Sequence, residues 1–303
     1  MSVQPSPQVE QAPPAQPARL RVLVAVDGTP AAAAALAVGR VLAAQLGARV
    51  AALHVTATPT DEREARQRLG LDAPETRDLE LALRVGDPAS EILRASSDDD
   101  GVTLLTMASR ATDSAAPLAS VTLSVIRHAY RPVVLVRPDL VIGHDVRPVR
   151  RLLVPVDGSP TTARALRSVT ELAHRLGASI NLLYVAGAER LSAEQGSITA
   201  PRYVDQVHHE WAQWSTEVVD RLMRCLARCP EDVPIELFLA VGDPGSEIVR
   251  FAAEHHEDAV VLVRRSELEP GRGKILWRIF EESPLSLVIV AAPYPFGEPA
   301  KQA

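Results

Sequence analysis

Short runs of leucine and β-branched residues alternate with longer amphipathic stretches along this chain, and the alternation occurs twice. In the first round Val22–Val26, Arg49–Val55, Leu79–Arg84, Val102–Met107 and Val133–Val136 read as strands. Ala31–Leu46, Ala89–Ser96 and Leu118–Tyr130 read as helices between them. The second round predicts strands at Leu152–Val156, Ser179–Val185, Ile235–Ala240, Ala259–Val263 and Leu287–Val290. Near-continuous apolar strands separated by helices predict an α/β fold, a parallel sheet covered on both faces and wound by right-handed crossovers.

The two rounds are copies of one another. Arg21-Val-Leu-Val-Ala-Val-Asp-Gly-Thr-Pro30 returns as Arg151-Leu-Leu-Val-Pro-Val-Asp-Gly-Ser-Pro160, and Leu53-His54-Val55 returns as Leu183-Tyr184-Val185 at the same offset. Val85-Gly-Asp-Pro88 with Glu91-Ile92 returns as Val241-Gly-Asp-Pro244 with Glu247-Ile248, now 26 residues further on. A repeat this long is a duplicated domain, since solenoid units run to about 20–50 residues. The reading is a first domain at 19–138, a linker at 139–149 and a second domain at 150–294, with tails at 1–18 and 295–303. The extra residues fall on the second crossover. There the second copy predicts a long helix, about Tyr203–Cys229, and the first offers only Asp61–Gly70 and a loop at Pro74. Trp211, Trp214, Val218, Leu222 and Cys225 recur at helical spacing, which reads as packing. The first copy is therefore expected to expose surface that this helix covers in the second.

Composition narrows the function classes. With 303 residues each copy is large enough for its own core, and 47% hydrophobic with 23% charged residues is ordinary globular usage. A net charge of −6 argues against nucleic acid, which requires a basic face. No apolar run reaches the ~18 residues of a membrane span, and the Pro- and Gln-rich start lacks the apolar core of a secretory signal, so it reads as a disordered tail. Two cysteines, Cys225 and Cys229, form no disulfide framework and fit a reducing cytoplasm.

Candidate chemistry is sparse. Asp27 and Asp157 close first strands on the side of an open α/β sheet where ligands bind, and each precedes a cap residue and a proline that start a helix. Each reads equally as a turn residue or a ligand contact. Val85-Gly86-Asp87-Pro88 reads as structural, turning strand three into helix three. His54 reads as a packed core histidine, and the pairs His208-His209 and His255-His256 as solvated surface. No Ser/His/Asp or Cys/His set and no metal-ligand spacing emerges, so no catalytic or metal residue is expected.

In their order, twice over, these landmarks resemble the universal stress protein family. Alongside the openings and the Val-Gly-Asp-Pro turns stand Ile126-Arg127-His128 and Pro132-Val-Val-Leu-Val136. The resemblance implies two tandem Rossmann-like (adenine-nucleotide α-hydrolase-like) domains, each a five-stranded parallel sheet between helices. In the family's nucleotide-binding branch a Met-Gly-x-x-Gly turn after strand four, then Gly-Ser/Thr at the fourth helix, wraps the phosphates. Adenosine-side contacts would correspond to Asp27 with Val55 and Asp157 with Val185.

This chain departs from that pattern. The first copy reads Met107-Ala108-Ser109-Arg110-Ala111, a seven-residue spacer, then Ala119-Ser120-Val121. Every motif glycine is alanine, and a left-handed L-residue costs about 1–2 kcal/mol. The second copy reads Val263-Arg-Arg-Ser-Glu-Leu268, then Gly271-Arg272-Gly273-Lys274. Gly273 and Lys274 keep the place of the helix entry, and the arginines read either as an anion site or, more simply, as a solvated basic loop. The resulting expectation is a non-catalytic stress-response protein with no cofactor, acting through an unknown protein partner. The alternative is an ATP- or adenine-nucleotide-binding regulator. The last strands of the two copies are expected to pair internally as a pseudo-dimer, with homo-oligomers built from such chains.

Overall fold

The computed structural model describes residues 20–77, 79–98, 101–109, 119–141, 145–157, 160–186, 230, 232–263, 278–283, 285 and 287–291. The first copy runs β1 (Arg21–Ala25), α1 (Pro30–Leu46), β2 (Arg49–Thr56), α2 (Glu62–Arg68), β3 (Glu80–Val85), α3 (Pro88–Asp98), β4 (Val102–Ala108), α4 (Ser120–His128) and β5 (Val133–Val136). A short α5 (Pro138–Val141) leads into the second, with β6 (Arg151–Val156), α6 (Pro160–Leu176), β7 (Ser179–Ala186), β8 (Ile235–Val241), α7 (Pro244–Glu254), β9 (Ala259–Val263) and β10 (Leu287–Ala291). The predicted helix at 203–229, its tryptophan stripe, both cysteines, His208-His209 and both tails lie outside the described residues.

All ten strands form one sheet in the order β3-β2-β1-β4-β5-β10-β9-β6-β7-β8. Within each copy every pairing is parallel. The exception is the centre, where β5 and β10 pair antiparallel, Val133 opposite Val290 and Val136 opposite Leu287. Two equivalent last strands meeting antiparallel is the arrangement a local twofold produces, so the internal pairing expected from the edges is present. Val134, Leu135, Val136 and Val288 are all fully buried there.

The linker is packed against the first domain. The Gln45 side chain at the end of α1 donates to the carbonyls of Val149 (2.9 Å) and Leu176 (3.0 Å), and accepts the Val149 N–H at 2.9 Å. Val141 and Val149 are buried with it. One amide thus ties α1 to the linker and to the end of α6.

The repeated Gly-Asp-Pro turn has a packing reason. Gly86 and Gly242 sit at φ 147° and 155°, and a Cβ on either would meet the trailing glutamate, Glu91 Cγ at 3.2 Å and Glu247 Oε1 at 2.9 Å. The glutamate folds back over the glycine, so the two residues recur together. Asp87 and Asp243 then cap α3 and α7, accepting the N–H of Ser90 (2.9 Å) and Ser246 (3.0 Å). Those bonds hold both carboxyls below the ordinary 3.8.

The helix on which the expected contrast in exposed surface rests lies outside the described residues. In the first copy α2 and the turn after it bring Ala65, Leu69 and Leu71 into the core, with Leu81 of β3 packed against that cluster. Among the described residues the exposed large apolar side chains are Val85 and Tyr130 in the first copy and Leu237, Leu239 and Val241 of edge strand β8 in the second. The short crossover of the first copy lies against the start of α1: a Cβ on Gly28 would stand 3.0 Å from the Arg68 carbonyl.

Candidate functional site

The carboxyl ends of β1, β2 and β4 share one edge of the first copy, and this edge gathers Asp27, Val55, Met107 and Ala108. Helix α4 is sewn to it. The Ala119 N–H donates to the Ser109 carbonyl (2.9 Å) and Thr122 Oγ1 to the Ala108 carbonyl (3.2 Å). Ser120 and Val121 open that helix, and Ala119 offers no side-chain acceptor to cap it. The topology therefore brings every candidate of the first copy to one rim.

Local geometry then decides what the rim can do. Asp27 Oδ1 accepts from the Thr29 N–H at 3.0 Å and from Thr29 Oγ1 at 2.6 Å, and Thr29 Oγ1 in turn accepts the Ala32 N–H at 3.2 Å. The carboxylate thus organises the turn into α1, with Gly28 at φ 85° completing it. His54 is buried and its Nδ1 lies 2.8 Å from the Val26 carbonyl. Because a carbonyl only accepts, Nδ1 carries the proton. The residue is a core histidine, as read from the sequence. Val55 is half-buried, Met107 buried, and Val121 half-buried against the same core cluster.

Ala108, at the first motif glycine, lies inside the ladder. Strand β4 runs through it opposite Val136, and the Ser109 N–H continues to the Val136 carbonyl at 2.8 Å. Among the described residues the only non-glycine at positive φ is His256, so Ala108 does not make the phosphate-wrapping turn. Residues 110–118 lie outside the described set. Two buried hydroxyls at this end of β4, Thr106 Oγ1 and Ser109 Oγ, have no hydrogen-bond partner.

In the second copy Asp157 Oδ1 accepts from Thr162 Oγ1 of α6 at 2.7 Å, again serving a helix start. Val185 is half-buried near the end of β7. Gly273 and Lys274, with Arg264, Arg265 and Arg272, lie outside the described residues. One sequence signal was missed: Pro155 inside β6. The ladder from β6 to β7 continues to Val156, whereas that to β9 stops at Leu153. Proline has no N–H to give, so β6 and β9 part at their carboxyl ends. The matching ladder of the first copy, with Ala25 in that place, runs on to Val24 opposite Thr106.

His255 corrects another reading. Its ring stacks on Phe251 with centroids 3.9 Å apart and 13° between planes, and lies 5.1 Å from Phe238. Of the pair only His256 is exposed. Four residues separate Phe251 from His255, which puts both on one helical face.

The sequence profile of the universal stress protein family matches residues 19–137 and 148–291. The chain belongs to the universal stress protein family. Among solved structures it is similar to a universal stress protein from Archaeoglobus fulgidus DSM 4304, at 17% identity over 90% of this chain and 98% of that one, with a TM-score of 0.57. It is also similar to a protein of unknown function from Pseudomonas aeruginosa PAO1, at 14% identity over 91% and 93% of the two chains, TM-score 0.58. At such identities these neighbours establish the fold alone. A search of curated proteins found no match. This universal stress protein is thus a tandem member of its family. Among its described residues no helix is long and apolar enough to cross a membrane, and no group of three or more His, Cys, Asp or Glu is placed to hold a metal ion.

Outside the rim, Glu257 is a buried carboxyl with one oxygen unpartnered. It is 5% exposed, accepts from Asn181 Nδ2 through Oε1, and leaves Oε2 without a partner. Desolvation, aided by the Asp258 charge, pushes it above the ordinary 4.5, against the Asn181 bond and the Arg151 charge. With the folded-state value raised, the native chain binds more protons than the unfolded one from pH 4.5 upward. Stability is then full below that pH and falls as pH rises toward the raised value. E257Q keeps an acceptor for Asn181 and removes the ionisation. Urea unfolding across a pH series is expected to show the wild type losing stability relative to E257Q over this window. Parallel profiles would show that Glu257 does not couple folding to protons.

Proposed function

We propose that this universal stress protein is a non-catalytic stress-response protein, acting through contacts with another protein and lacking a working nucleotide pocket. The observation that carries the reading is Ala108 held in the β4 ladder, where the nucleotide-binding branch has a glycine turn. With the strand extended there, backbone N–H groups point to neighbouring strands and not toward a phosphate. Asp27 and Asp157 each give a carboxylate oxygen to a helix start, Asp27 Oδ1 to Thr29 and Asp157 Oδ1 to Thr162. The residues of this rim do not fit a bound triphosphate, and no chemical step is assigned to one.

A second reading, an adenine-nucleotide-binding regulator, is favoured by one feature. The entry to α4 has no side-chain cap, and the buried Ser109 hydroxyl beside it has no partner, so donors for an anion persist. Denaturing protein purified without added nucleotide and quantifying released adenine nucleotides separates the two. The first reading expects far less than one nucleotide per chain, and near-stoichiometric release would overturn it.

A further inference from the structure

The described residues form a concavity away from the carboxyl rim of the strands. At the opposite, amino-terminal ends of β6, β9 and β10 lies an open cleft of about 480 Å³. Glu257 lines it beside Arg147 and Arg151, with exposed His256 at its edge and Ala252 and Leu285 as apolar wall. The linker supplies Arg147, the start of β6 supplies Arg151, and the turn from α7 into β9 supplies His256 and Glu257. The sequence marks Arg151 only as the start of the repeated opening and His256 only as surface, and Arg147 and Glu257 belong to no motif, because the four are brought together by the fold alone.

Three features distinguish this cleft from a solvated groove. Glu257 is more than nine-tenths buried and its Oε2 has no partner, although a buried carboxylate oxygen ordinarily has one. Both arginine side chains are exposed, and among the described residues neither guanidinium has a hydrogen-bond or ion-pair partner. Asp258, the other carboxylate in the cleft, is already satisfied by the N–H groups of Arg150 (2.8 Å) and Arg151 (2.9 Å). The cleft thus presents one open acceptor at its buried side, two open donors at its mouth and apolar surface between them.

We propose that this cleft binds a small zwitterion of the α-amino-acid class. The ligand's ammonium donates to Glu257 Oε2, its carboxylate accepts from Arg147 and Arg151, and an aliphatic side chain lies on Ala252 and Leu285. A buried carboxylate at one end and two exposed guanidinium groups at the other recognise the pair of charges together, and a compound with one charge leaves the opposite group unanswered. The site is remote from the carboxyl rim and does not depend on whether a nucleotide binds there.

The test is calorimetric titration of the full chain with L-leucine, 4-methylpentanoate (no ammonium) and 3-methylbutylamine (no carboxylate). Saturable leucine binding is expected, weakened about tenfold to a hundredfold for either single-charge analogue, as loss of one charge-assisted hydrogen bond implies. E257Q, checked for wild-type circular dichroism, is expected to weaken leucine by a similar factor and to leave 4-methylpentanoate unchanged. Arg147→Ala, distant from the core, is expected to weaken leucine and to leave the amine unchanged. Absence of saturable leucine binding at roughly 10 mM, the weak end of small-ligand affinity, overturns the proposal. So does equal binding of leucine by wild type and E257Q, or of leucine and 4-methylpentanoate by the wild type.

Discussion

Leu135→Asp is expected to abolish cooperative folding of the entire chain, both copies together. Leu135 has no exposed surface and stands opposite Val288 in the antiparallel pair that joins the two half-sheets. It belongs to a core cluster that contains side chains of both copies, Leu105 and Val125 from the first with Leu153 and Val260 from the second. An aspartate there buries a charge with no cation provided for it. Such lesions cost upwards of about 4 kcal/mol, against a total stability of about 5–15 kcal/mol. The milder Leu135→Ala leaves a cavity and should cost about 2–5 kcal/mol while retaining one transition. Thermal unfolding followed by circular dichroism distinguishes the cases. An aspartate variant that melts like the wild type would mean that the β5–β10 junction is not a shared core.

The second large effect is expected at Gly39, in the middle of α1. A Cβ there would stand 2.5 Å from Val24 Cγ2 on β1, inside van der Waals contact. The helix gains about 1 kcal/mol when glycine becomes alanine, but overpacking a tight core costs about 1–3 kcal/mol. Both sides of this contact are buried, with Val24 at 0% exposure, so relief requires moving a helix or a strand. Gly39→Ala is therefore expected to lower the denaturant midpoint by the equivalent of up to about 2 kcal/mol, with the slope unchanged. Val24→Ala on its own also destabilises. Combined with Gly39→Ala it should cost less than the sum of the two, because the new methyl occupies the space that was vacated. Additive costs would show that the helix shifts and the contact is not the cause.

Most of this architecture was legible along the chain because it is written in local rules. Two-sided strands show as unbroken apolar runs, and the Gly-Asp-Pro turns show because one glycine must accommodate a glutamate five residues on in sequence and adjacent in space, Glu91 or Glu247. The junction at Val133–Val136 was foreseeable from the liability of an unpaired last strand. What escaped notice depends on contacts between distant segments. Gln45 looks like any polar residue near a helix end until Val149 and Leu176 stand beside it. His255 looks solvated until Phe251 and Phe238 enclose its ring.

At the candidate site the same division holds. The residue types at the rim, and the loss of its glycines, were plain from the sequence. That Asp27 is committed to Thr29, and that β4 continues straight through Ala108, required coordinates. The Glu257 cleft carries no motif at all, and only its burial and its unanswered oxygen reveal it.

The central claim, that the rim formed by β1, β2 and β4 has lost its hold on a triphosphate, is tested most directly by titrating the intact chain with ATP and Mg²⁺ in a calorimeter. No saturable heat is predicted through millimolar ligand, the weak limit of specific small-molecule affinity. A stoichiometric isotherm with a micromolar dissociation constant would contradict it.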